Sequence, residues 1–393
     1  MTDHSSHFAH APTTAALHGI VVLDFSHVIA GPFATYYLAA LGARVIKVEN
    51  PHRGDSLRGR PQAFESLNHG KEVVQIDLDS EQGQAQAWAL FEQADVFVDN
   101  MRPGVLDRFG FGEAALRKKK PSLIYCSISG YGRHGDWASR PTFDHVVQAA
   151  SGMTLLAGGV EDGPIKVGFP VIDSASGLLA ALGVIAAIRR RDLTGAGESI
   201  DVSMLGAALQ LMYPMTVETL ATGHAPARVG NVGYSGSPGA ETFRCRDGLL
   251  ALGANTPQQM LALAKVLNIQ AQVEPLLQGQ SKGFVSAQNA APLRTLLVDA
   301  LAQASAPELE QSLNAANVPA AWVRDLGQAI HAAEQHRLLA PWTLSGETTV
   351  RVPGLGFQAE TLFAGRSAPY GLPAEVAASP AGSVGEQQNV GAH

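Results

Sequence analysis

The chain has 393 residues, of which 46% are hydrophobic and 16% are charged, and its 28 basic and 35 acidic residues give a net charge of −7. A chain of this length can bury large cores without metal or disulfide support and predicts about two to three domains. The acidic balance excludes a general attraction to nucleic acid or to acidic membrane surfaces, so neither is expected as a partner.

The first half of the chain alternates short β-branched runs with helical stretches. Strands are predicted over 19–24, 43–49, 72–78, 96–100 and 123–127, with one helix after the first strand and another over 80–93. A helix over 174–190, a strand over 199–203 and a helix over 204–220 follow. This alternation predicts right-handed crossovers and a mostly parallel sheet with helices on both faces.

Five glycines within residues 223–239 mark a segment without regular structure. After it, strands are predicted over 242–245, 249–253 and 318–323, and helices over 256–267, 290–304 and 306–316. The predicted division is therefore a flexible N-terminal tail, a large domain, a linker, a small domain and a last segment, over 1–18, 19–222, 223–240, 241–330 and 331–393.

Three features bear on location. Cys126 and Cys245 lack any metal-binding spacing and are predicted to be buried thiols in a reducing compartment. The first 19 residues contain no Lys or Arg and no apolar core, so no secretory signal is expected. The longest apolar run, Gly177 to Ile188, is 12 residues long and predicts a buried core helix, since a membrane span needs about 20 residues. A cytoplasmic location is expected.

Asp173 is the only charged residue between Lys166 and Arg189, and it stands directly before a strongly apolar helix. An Asp followed by Ser-Ala-Ser is typical of a helix N-cap, which is a structural role. The same position offers free N–H groups and the positive end of a helix dipole, which favour the ionised side chain against the effect of burial. Asp173 is therefore expected to remain a carboxylate, as a carboxylate nucleophile requires, and both roles stay open.

Polar and basic residues follow the predicted strands. His27 comes after the first strand, at the edge where α/β proteins bind ligands, although a hydrogen-bonded turn would also suit it. The turn lacks the G-x-G-x-x-G pattern, which argues against NAD. Basic residues in the following loops are either solvated charges or contacts to a phosphorylated nucleotide, and they are Lys71, Arg102, Arg108 and Arg140.

Six segments resemble the class III CoA-transferase family, which includes formyl-CoA transferase and carnitine CoA-transferase. They are LDFSHVIAGPFATYYLAALGARVIKVENPHRGDSLR, NHGKEVVQIDL, DNMRPGVLDRFGF, ISGYG, PVIDSASGLLAALGVIAAI and TGAGESIDVSM. Two later segments, DGLLALGANTPQQ and NVPAAWV, extend the resemblance over most of the chain. The motifs are specific for the family and much less specific for the substrate.

The resemblance implies an α/β fold with a Rossmann-like large domain built on a parallel sheet, a smaller α/β domain, and a homodimer of interlocked rings. It implies that the chain returns to the large domain after about residue 330. It also implies that Asp173 is the nucleophile. The implied CoA contacts are His27, Val28, Ala30, Lys71, Asn100, Arg108 and Arg140. No metal and no tightly bound cofactor are expected, because the coenzyme A thioester is the substrate.

In the chemistry that the resemblance implies, the carboxylate attacks an acyl-CoA and forms an acyl-aspartyl anhydride, then an aspartyl-CoA thioester, from which the acceptor acid collects CoA. Backbone N–H groups near Ala30 and Gly31 would stabilise the oxyanions. The expected donor is succinyl-CoA and the expected acceptor is a short carboxylic or dicarboxylic acid. Candidate contacts for a second acceptor carboxylate are Arg228, Asn231 and Tyr234.

The chain departs from formyl-CoA transferase at three places. Ile29 replaces a glutamine, which removes a polar contact to a small dicarboxylate and argues against oxalate as the acceptor. Asn50 replaces an arginine on the adenine side, for which Arg53 or Arg58 would substitute. The tetraglycine loop is absent, and residues 234–239 are the nearest match.

Two alternatives remain. α-Methylacyl-CoA racemases share the fold and use a histidine directly before an aspartate as an acid/base pair. Here Phe143 stands before Asp144, and His145 is displaced by two residues from the histidine position. A phenyl ring cannot transfer a proton, so a transferase is favoured. A non-catalytic CoA-binding protein is the third possibility, and the retained Asp173 argues against it.

Overall fold

The computed structural model describes residues 15–279, 283–285, 290–336, 339–343 and 349–357. These residues form two compact units, divided at positions 153/154, 165/166, 224/225 and 337/338, of which the second comprises 154–165 and the described part of 225–337. Residues 154–165, which the pattern assigns to the large domain, belong to the second unit. The predicted tail lies outside the described residues as far as residue 14, and residues 15–18 form a turn in which Leu17 is buried. The predicted domain division otherwise stays a prediction.

A six-stranded parallel sheet forms the centre of the first unit. Its strands are β1 (Val21–Asp24), β2 (Arg44–Glu49), β3 (Lys71–Gln75), β4 (Val96–Asp99), β5 (Ile124–Ser129) and β6 (Ser199–Ser203). They lie in the order β3-β2-β1-β4-β5-β6, which is the strand order of the Rossmann fold. The predicted α/β architecture with a parallel sheet is confirmed.

Helices cover both faces of this sheet. They are α1 (Ala30–Ala40), α2 (Pro61–Asn68), α3 (Glu81–Gln93), α4 (Glu113–Lys119), α5 (Asp144–Ala150), α6 (Val171–Thr194), α7 (Met204–Leu211) and α8 (Tyr213–Thr222). Successive strand residues point into different cores, since Val22 packs beside α1 and α6 while Leu23 packs in a second cluster with Phe91 and Phe97. Strands buried on both faces explain why the sequence runs are continuously apolar.

Two helices differ from their predicted form. The single helix expected over 204–220 is divided between α7 and α8 at Met212, because Pro214 cannot donate a backbone hydrogen bond and its ring obstructs the preceding turn. Helix α6 has 24 residues and begins at Val171, three residues before the predicted start. Among the described residues it is the one helix with the length and composition of a membrane span, and half of its most apolar window is buried.

The second unit contains a three-stranded antiparallel sheet, in the order β7-β8-β9, with helices around it. The strands are β7 (Thr242–Arg244), β8 (Leu249–Leu252) and β9 (Ala320–Trp322), and the helices are α9 (Pro257–Val266), α10 (Gln270–Val273), α11 (Ala290–Ala302), α12 (Ala306–Ala315) and α13 (Leu326–Gln335). Leucines from α9, α11 and α12 build its core with Leu250 of β8. Cys245 is buried there, and Cys126 is buried in β5, so both thiols are placed as predicted.

A last antiparallel hairpin, β10 (Leu339–Thr343) and β11 (Thr349–Pro353), belongs to the first unit and was not predicted from the sequence. After it, the carbonyl of Leu355 accepts a hydrogen bond of 3.1 Å from the Tyr37 hydroxyl of α1.

Candidate active site

The strand order reverses between β1 and β4, and open α/β sheets bind ligands in the crevice beyond such a switch point. The chain leaves β1 through His27 and leaves β4 through Asn100. The Asn100 side chain accepts a hydrogen bond from the His27 N–H at 2.9 Å and donates one to the His27 carbonyl at 2.7 Å. Two of the predicted CoA contacts are therefore joined at this crevice, where Asn100 shapes the turn.

Val28 has a φ of 67°, in the left-handed region that a β-branched residue rarely adopts. Its N–H donates to both carboxylate oxygens of Asp55, at 3.1 Å each. Asp55 follows β2 and also accepts from the Leu57 N–H at 2.9 Å. The turn from β1 into α1 thus takes a strained conformation that a neighbouring segment holds.

Four charged residues lie buried under this turn: Asp24, Lys47, Asp55 and Lys71 are between 0% and 3% exposed. The Lys47 ammonium donates to Asp55 at 3.0 Å and to the Ser26 carbonyl at 2.8 Å. The Lys71 ammonium donates to Asp24 at 3.2 Å, to the Pro32 carbonyl at 2.9 Å and to the Asn68 side chain at 3.0 Å. We call these four side chains the buried charge cluster.

Within the buried charge cluster, opposite charges determine the direction of the carboxyl pKa shifts. Burial alone raises the pKa of Asp24, but the charges of Lys71 and Lys47 outweigh it and leave that pKa below its usual range. The pKa of Asp55 is also lowered, because the charge of Lys47 and hydrogen bonds from backbone N–H groups outweigh the effect of burial. Burial lowers the pKa of Lys71, and the charge of Asp24 opposes that shift. Lys71 is the first residue of β3, not part of a loop, and its ammonium is engaged by protein groups, which does not support a direct contact with CoA.

Helices α1 and α6 approach each other backbone to backbone. A Cβ atom on Gly177 would lie 2.7 Å from the Ala30 carbonyl oxygen, so the contact requires glycine. The N-cap of α1, Ile29, makes no side-chain capping bond, and no acidic residue stands in its first turn. Asp173 precedes Gly177 by four residues and shares its face of α6, one helical turn from the residue that packs against Ala30. Asp173 and the start of α1, which follows the Val28 turn, thus belong to two helices in direct contact.

Asp173 is the third residue of α6 and not its N-cap, which is Pro170. Asp144, the first residue of α5, caps the helix instead, because its carboxylate accepts from the N–H of Ile172 at 2.7 Å and from that of Asp173 at 2.9 Å. Gln148 donates to the other carboxylate oxygen at 2.6 Å. The predicted capping role of Asp173 is therefore wrong, since a residue 29 positions earlier supplies the acceptor.

Burial, and then the negative charge of Asp144, raise the pKa of Asp173 to about 7. The expectation that Asp173 remains a carboxylate is corrected, because at a pKa of about 7 the side chain is about half protonated at pH 7. The N–H groups that would have stabilised its charge donate to Asp144. Burial lowers the pKa of His27 below its usual range.

The remaining basic candidates make other contacts. Arg108 and Arg140 are exposed, and their guanidinium groups lie over the rings of Phe109 and Trp137, at 5.6 Å and 4.2 Å. Arg58 pairs with Glu49 at 2.7 Å. These positions leave Arg108 and Arg140 accessible to a ligand without placing them against the Val28 turn.

Arg228 was expected to be available for an acceptor carboxylate, and its contacts contradict this. In the second unit its guanidinium donates to carbonyls of the 154–163 loop, at Leu155 and Gly163 (3.0 Å each), at Thr154 (3.3 Å) and at Asp162. The residue therefore holds that loop.

Phe143, at the racemase histidine position, is 70% exposed. No group of three or more His, Cys, Asp or Glu in the described ranges is placed to hold a metal ion.

Three residues that shape this region were not among the residues predicted from the sequence: Lys47, Asp55 and Gly177. A signal existed for Lys47, because a charge inside the apolar run of a central parallel strand must be buried. Asp55 and Gly177 carry no such signal, since their importance comes from contacts with residues distant in the chain.

Comparison with known proteins agrees with this architecture. The sequence pattern of CoA-transferase family III matches residues 17–370. An acetyl-CoA:oxalate CoA-transferase from Acetobacter aceti is 39% identical over 221 residues, which are 54% of this chain and 57% of that protein. A succinyl-CoA:glutarate CoA-transferase from Mus musculus is 34% identical over 261 residues, which are 64% of this chain and 60% of that protein. The chain thus spans less than two thirds of the length of these curated relatives.

Solved structures match over more of the chain. Rv3272 from Mycobacterium tuberculosis superposes with a TM-score of 0.78 at 30% identity, covering 90% of this chain and 95% of that one. A CAIB/BAIF family protein from Brucella suis gives a TM-score of 0.72 at 28% identity, covering 82% and 88%. Because the family pattern extends over most of its length, the chain belongs to CoA-transferase family III.

Proposed function

We propose that the protein is a CoA-transferase that moves CoA from an acyl-CoA to a short dicarboxylic acid, with Asp173 as the nucleophile. The observation that carries the proposal is the place of Asp173, a half-buried carboxyl with a pKa raised to about 7, one helical turn before Gly177, which packs against Ala30 at the start of α1. A carboxylate of raised basicity is a stronger nucleophile than an ordinary one and is still about half ionised at pH 7.

The reaction proceeds by four exchanges of acyl bonds. The Asp173 carboxylate attacks the donor thioester and expels CoA thiolate, which leaves an acyl-aspartyl anhydride. The thiolate attacks the aspartyl carbonyl and releases the donor acid, which leaves an aspartyl-CoA thioester. The acceptor carboxylate attacks that thioester and expels the thiolate again, which leaves a second anhydride, between Asp173 and the acceptor. The thiolate finally attacks the acceptor carbonyl, which forms the new acyl-CoA and restores Asp173.

Each attack creates an oxyanion, and the uncapped first turn of α1 offers N–H donors at Ala30 and Gly31 for it. The CoA contacts proposed for His27, Val28, Ala30 and Asn100 are supported by their position at the switch point. Arg108 and Arg140 remain candidates for phosphate contacts because they are exposed. The chemistry needs no tightly bound cofactor, since CoA enters and leaves as part of the substrates.

The names of the relatives support a dicarboxylic acceptor. They pair an acyl-CoA with oxalate, glutarate or mesaconate, each of which carries two carboxyl groups. Succinyl-CoA is the donor in two of these names and is the proposed donor here. Ile29 offers no polar contact to a small acid, so the proposed acceptor is longer than oxalate.

We also propose that the protein is a cytoplasmic homodimer of interlocked rings. Apolar side chains on three neighbouring helices support an interface there, because α6, α7 and α8 expose Leu182, Leu211, Tyr213, Val217 and Leu220 by between 45% and 81%. Extended apolar surface of this kind marks sites of association.

Replacement of Asp173 tests the nucleophile. Asp173→Ala should lower CoA transfer from succinyl-CoA to glutarate by at least about 1000-fold, because no covalent intermediate can form. Asp192→Ala is the matched control, since Asp192 lies on the same helix with a side chain 54% exposed. Peptide mapping after borohydride or hydroxylamine treatment of the succinyl-CoA-loaded enzyme should find the modification at Asp173. An adduct at another residue, or full activity of the Asp173→Ala protein, would contradict the assignment.

An acceptor panel tests the substrate class. Oxalate, glutarate, mesaconate and a long-chain monocarboxylic acid are incubated with succinyl-CoA, and the CoA products are identified by mass spectrometry. We expect glutarate or mesaconate to exceed oxalate and the long-chain acid. A racemase would instead exchange the α-proton of 2-methylacyl-CoA with deuterium oxide without transfer of CoA, and a binding protein would do neither.

A further inference from the structure

The backbone of the turn between β1 and α1 is held by side chains at nearly every polar group. Asp24 accepts from the Ser26 N–H at 2.9 Å, and Lys47 donates to the Ser26 carbonyl at 2.8 Å. Asn100 engages both polar groups of His27, and Asp55 accepts from the N–H of Val28. The conformation of the turn is therefore imposed by its surroundings and is not a local preference of its own residues.

A gain in stability does not explain why the buried pair Lys47 and Asp55 holds this turn. Burial of an ion pair costs about as much as the pair returns, and well-packed apolar residues often replace such pairs without loss. Lys47 and Asp55 are nevertheless both fully buried at their side chains, with 3.0 Å between ammonium and carboxylate. Their arrangement fits a role in fixing a conformation, since a conformation that costs energy persists only where the surroundings determine it.

The conformation that they fix is the φ of 67° at Val28. Val28 stands two residues before α1, so a change of its φ to the negative region would redirect the chain as it enters that helix. The first residue of α1 is in backbone contact with Gly177, one turn from Asp173. The position of the uncapped α1 N–H groups relative to Asp173 consequently depends on the Val28 conformation.

We propose that Asp55 is a positioning residue: its carboxylate, itself fixed by Lys47, holds Val28 at positive φ and thereby sets the oxyanion-binding N–H groups of α1 relative to Asp173. The catalytic part of this inference rests on the proposed function, whereas the conformational part does not. Asp55 has no contact with the reacting atoms in this account and acts through Val28.

The test combines a loss with a selective rescue. Asp55→Asn keeps the size of the side chain and removes its charge, and it should lower kcat for transfer from succinyl-CoA to glutarate by about 100-fold, the loss that a misplacement of about 1 Å causes. The KM for succinyl-CoA should also rise, because the proposed CoA contacts of His27 and Val28 lie in the same turn, but by a smaller factor than kcat falls. Substitution of a residue that binds CoA directly would instead raise the KM for succinyl-CoA more than it lowers kcat.

Val28→Gly and Val28→Ala are then each added to Asp55→Asn. Both remove the valine side chain, but only glycine adopts positive φ without strain. Val28→Gly should recover about 10-fold in kcat and Val28→Ala less than about twofold. Equal recovery by the two substitutions, recovery by neither, or an undiminished kcat of Asp55→Asn would overturn the proposal.

A substitute variant and an unfolding measurement keep the proposal testable in every case. If Asp55→Asn does not fold, the comparison is made in Lys47→Met/Asp55→Asn, which leaves no unpaired buried ammonium. Urea unfolding of every variant tests the conformational part without catalysis: Val28→Gly should raise the midpoint urea concentration of the Asp55→Asn protein more than Val28→Ala does. If Asp173→Ala remains active, the proposed function fails while this unfolding difference persists; if the difference is absent, the inference fails by itself.

Discussion

The buried charge cluster and the start of α6 both bury carboxyl groups, and they do so with opposite results. In the cluster, two lysines accompany Asp24 and Asp55, and both carboxyl pKa values lie below their usual range. At the start of α6, the neighbour of Asp173 is another carboxylate, Asp144, and the pKa of Asp173 rises to about 7. Burial is common to the two regions, so the sign of the neighbouring charge determines whether the pKa of a buried acid falls below or rises above its usual range.

The largest effect should come from breaking a charge pair in the cluster. Lys47→Met leaves Asp55 buried without its cation and should lower the free energy of unfolding by about 3–5 kcal/mol. Arg44→Met is the control on the same strand, because Arg44 pairs with Glu72 at 2.8 Å while its side chain is 46% exposed. It should cost about 0–1 kcal/mol in urea unfolding. Similar losses for the two variants would remove the distinction between buried and surface pairs.

Removal of the charge at the start of α6 should act in the opposite direction. The folded-state pKa of Asp173, about 7, exceeds the unfolded value of about 3.9, so the protein loses stability as the pH rises from 4 to 7. Asp173→Asn does not titrate, and its stability advantage over the parent should grow by about 2 kcal/mol between pH 5 and pH 8. A constant advantage would contradict the raised pKa.

Gly177 of α6 packs against α1, which lies beside the buried charge cluster. A methyl group at position 177 should push the two helices apart. Gly177→Ala places its Cβ against the Ala30 carbonyl and should cost about 1–2 kcal/mol net, because overpacking outweighs the better helix propensity of alanine. Gly183→Ala on the same helix would meet only the Ile200 side chain, at 3.2 Å, and should be nearly neutral. Thermal unfolding measures both, and equal losses would show that the α1–α6 contact is not tight.

The smallest effect concerns the charge of Asp144. The profile of kcat/KM against pH should rise with an inflection near pH 7 as Asp173 ionises. Asp144→Asn removes the neighbouring negative charge and should move this inflection to lower pH, while burial keeps it above the value of a free aspartate. An inflection that stays in place would mean that burial alone raises the pKa of Asp173.

The sequence predicted the fold well where the signal was local. Apolar runs located all six strands of the parallel sheet, and β6 was placed at its observed bounds, Ser199–Ser203. Local signals failed at the site. Helix α6 began earlier than its Asp-Ser-Ala-Ser signal suggested because Asp144 caps it from another helix. Similarly, Lys71 looked like a loop cation, but Asp24 and two further acceptors bind its ammonium inside the fold.

The Val28 turn shows most clearly what local sequence signals cannot predict. Nothing in Ser26-His27-Val28 predicts a positive φ, since glycine or asparagine is the usual residue there. The conformation depends on Asp55 and Asn100, which reach it from two other strand ends. Resemblance to a family supplied the candidate residues of the site, whereas the hydrogen bonds that hold the Val28 turn became visible only in three dimensions.

The apolar character of α6 has a consequence for biosynthesis. During translation this segment, with a mean hydropathy of 2.0 in its most apolar window, leaves the ribosome before β6 and α7 exist to cover it. The parallel sheet that buries it assembles slowly because its contacts are distant in the chain. The unfolded chain therefore exposes an apolar stretch until the sheet closes, and substitutions that delay closure should reduce the yield of folded protein before they affect the finished molecule.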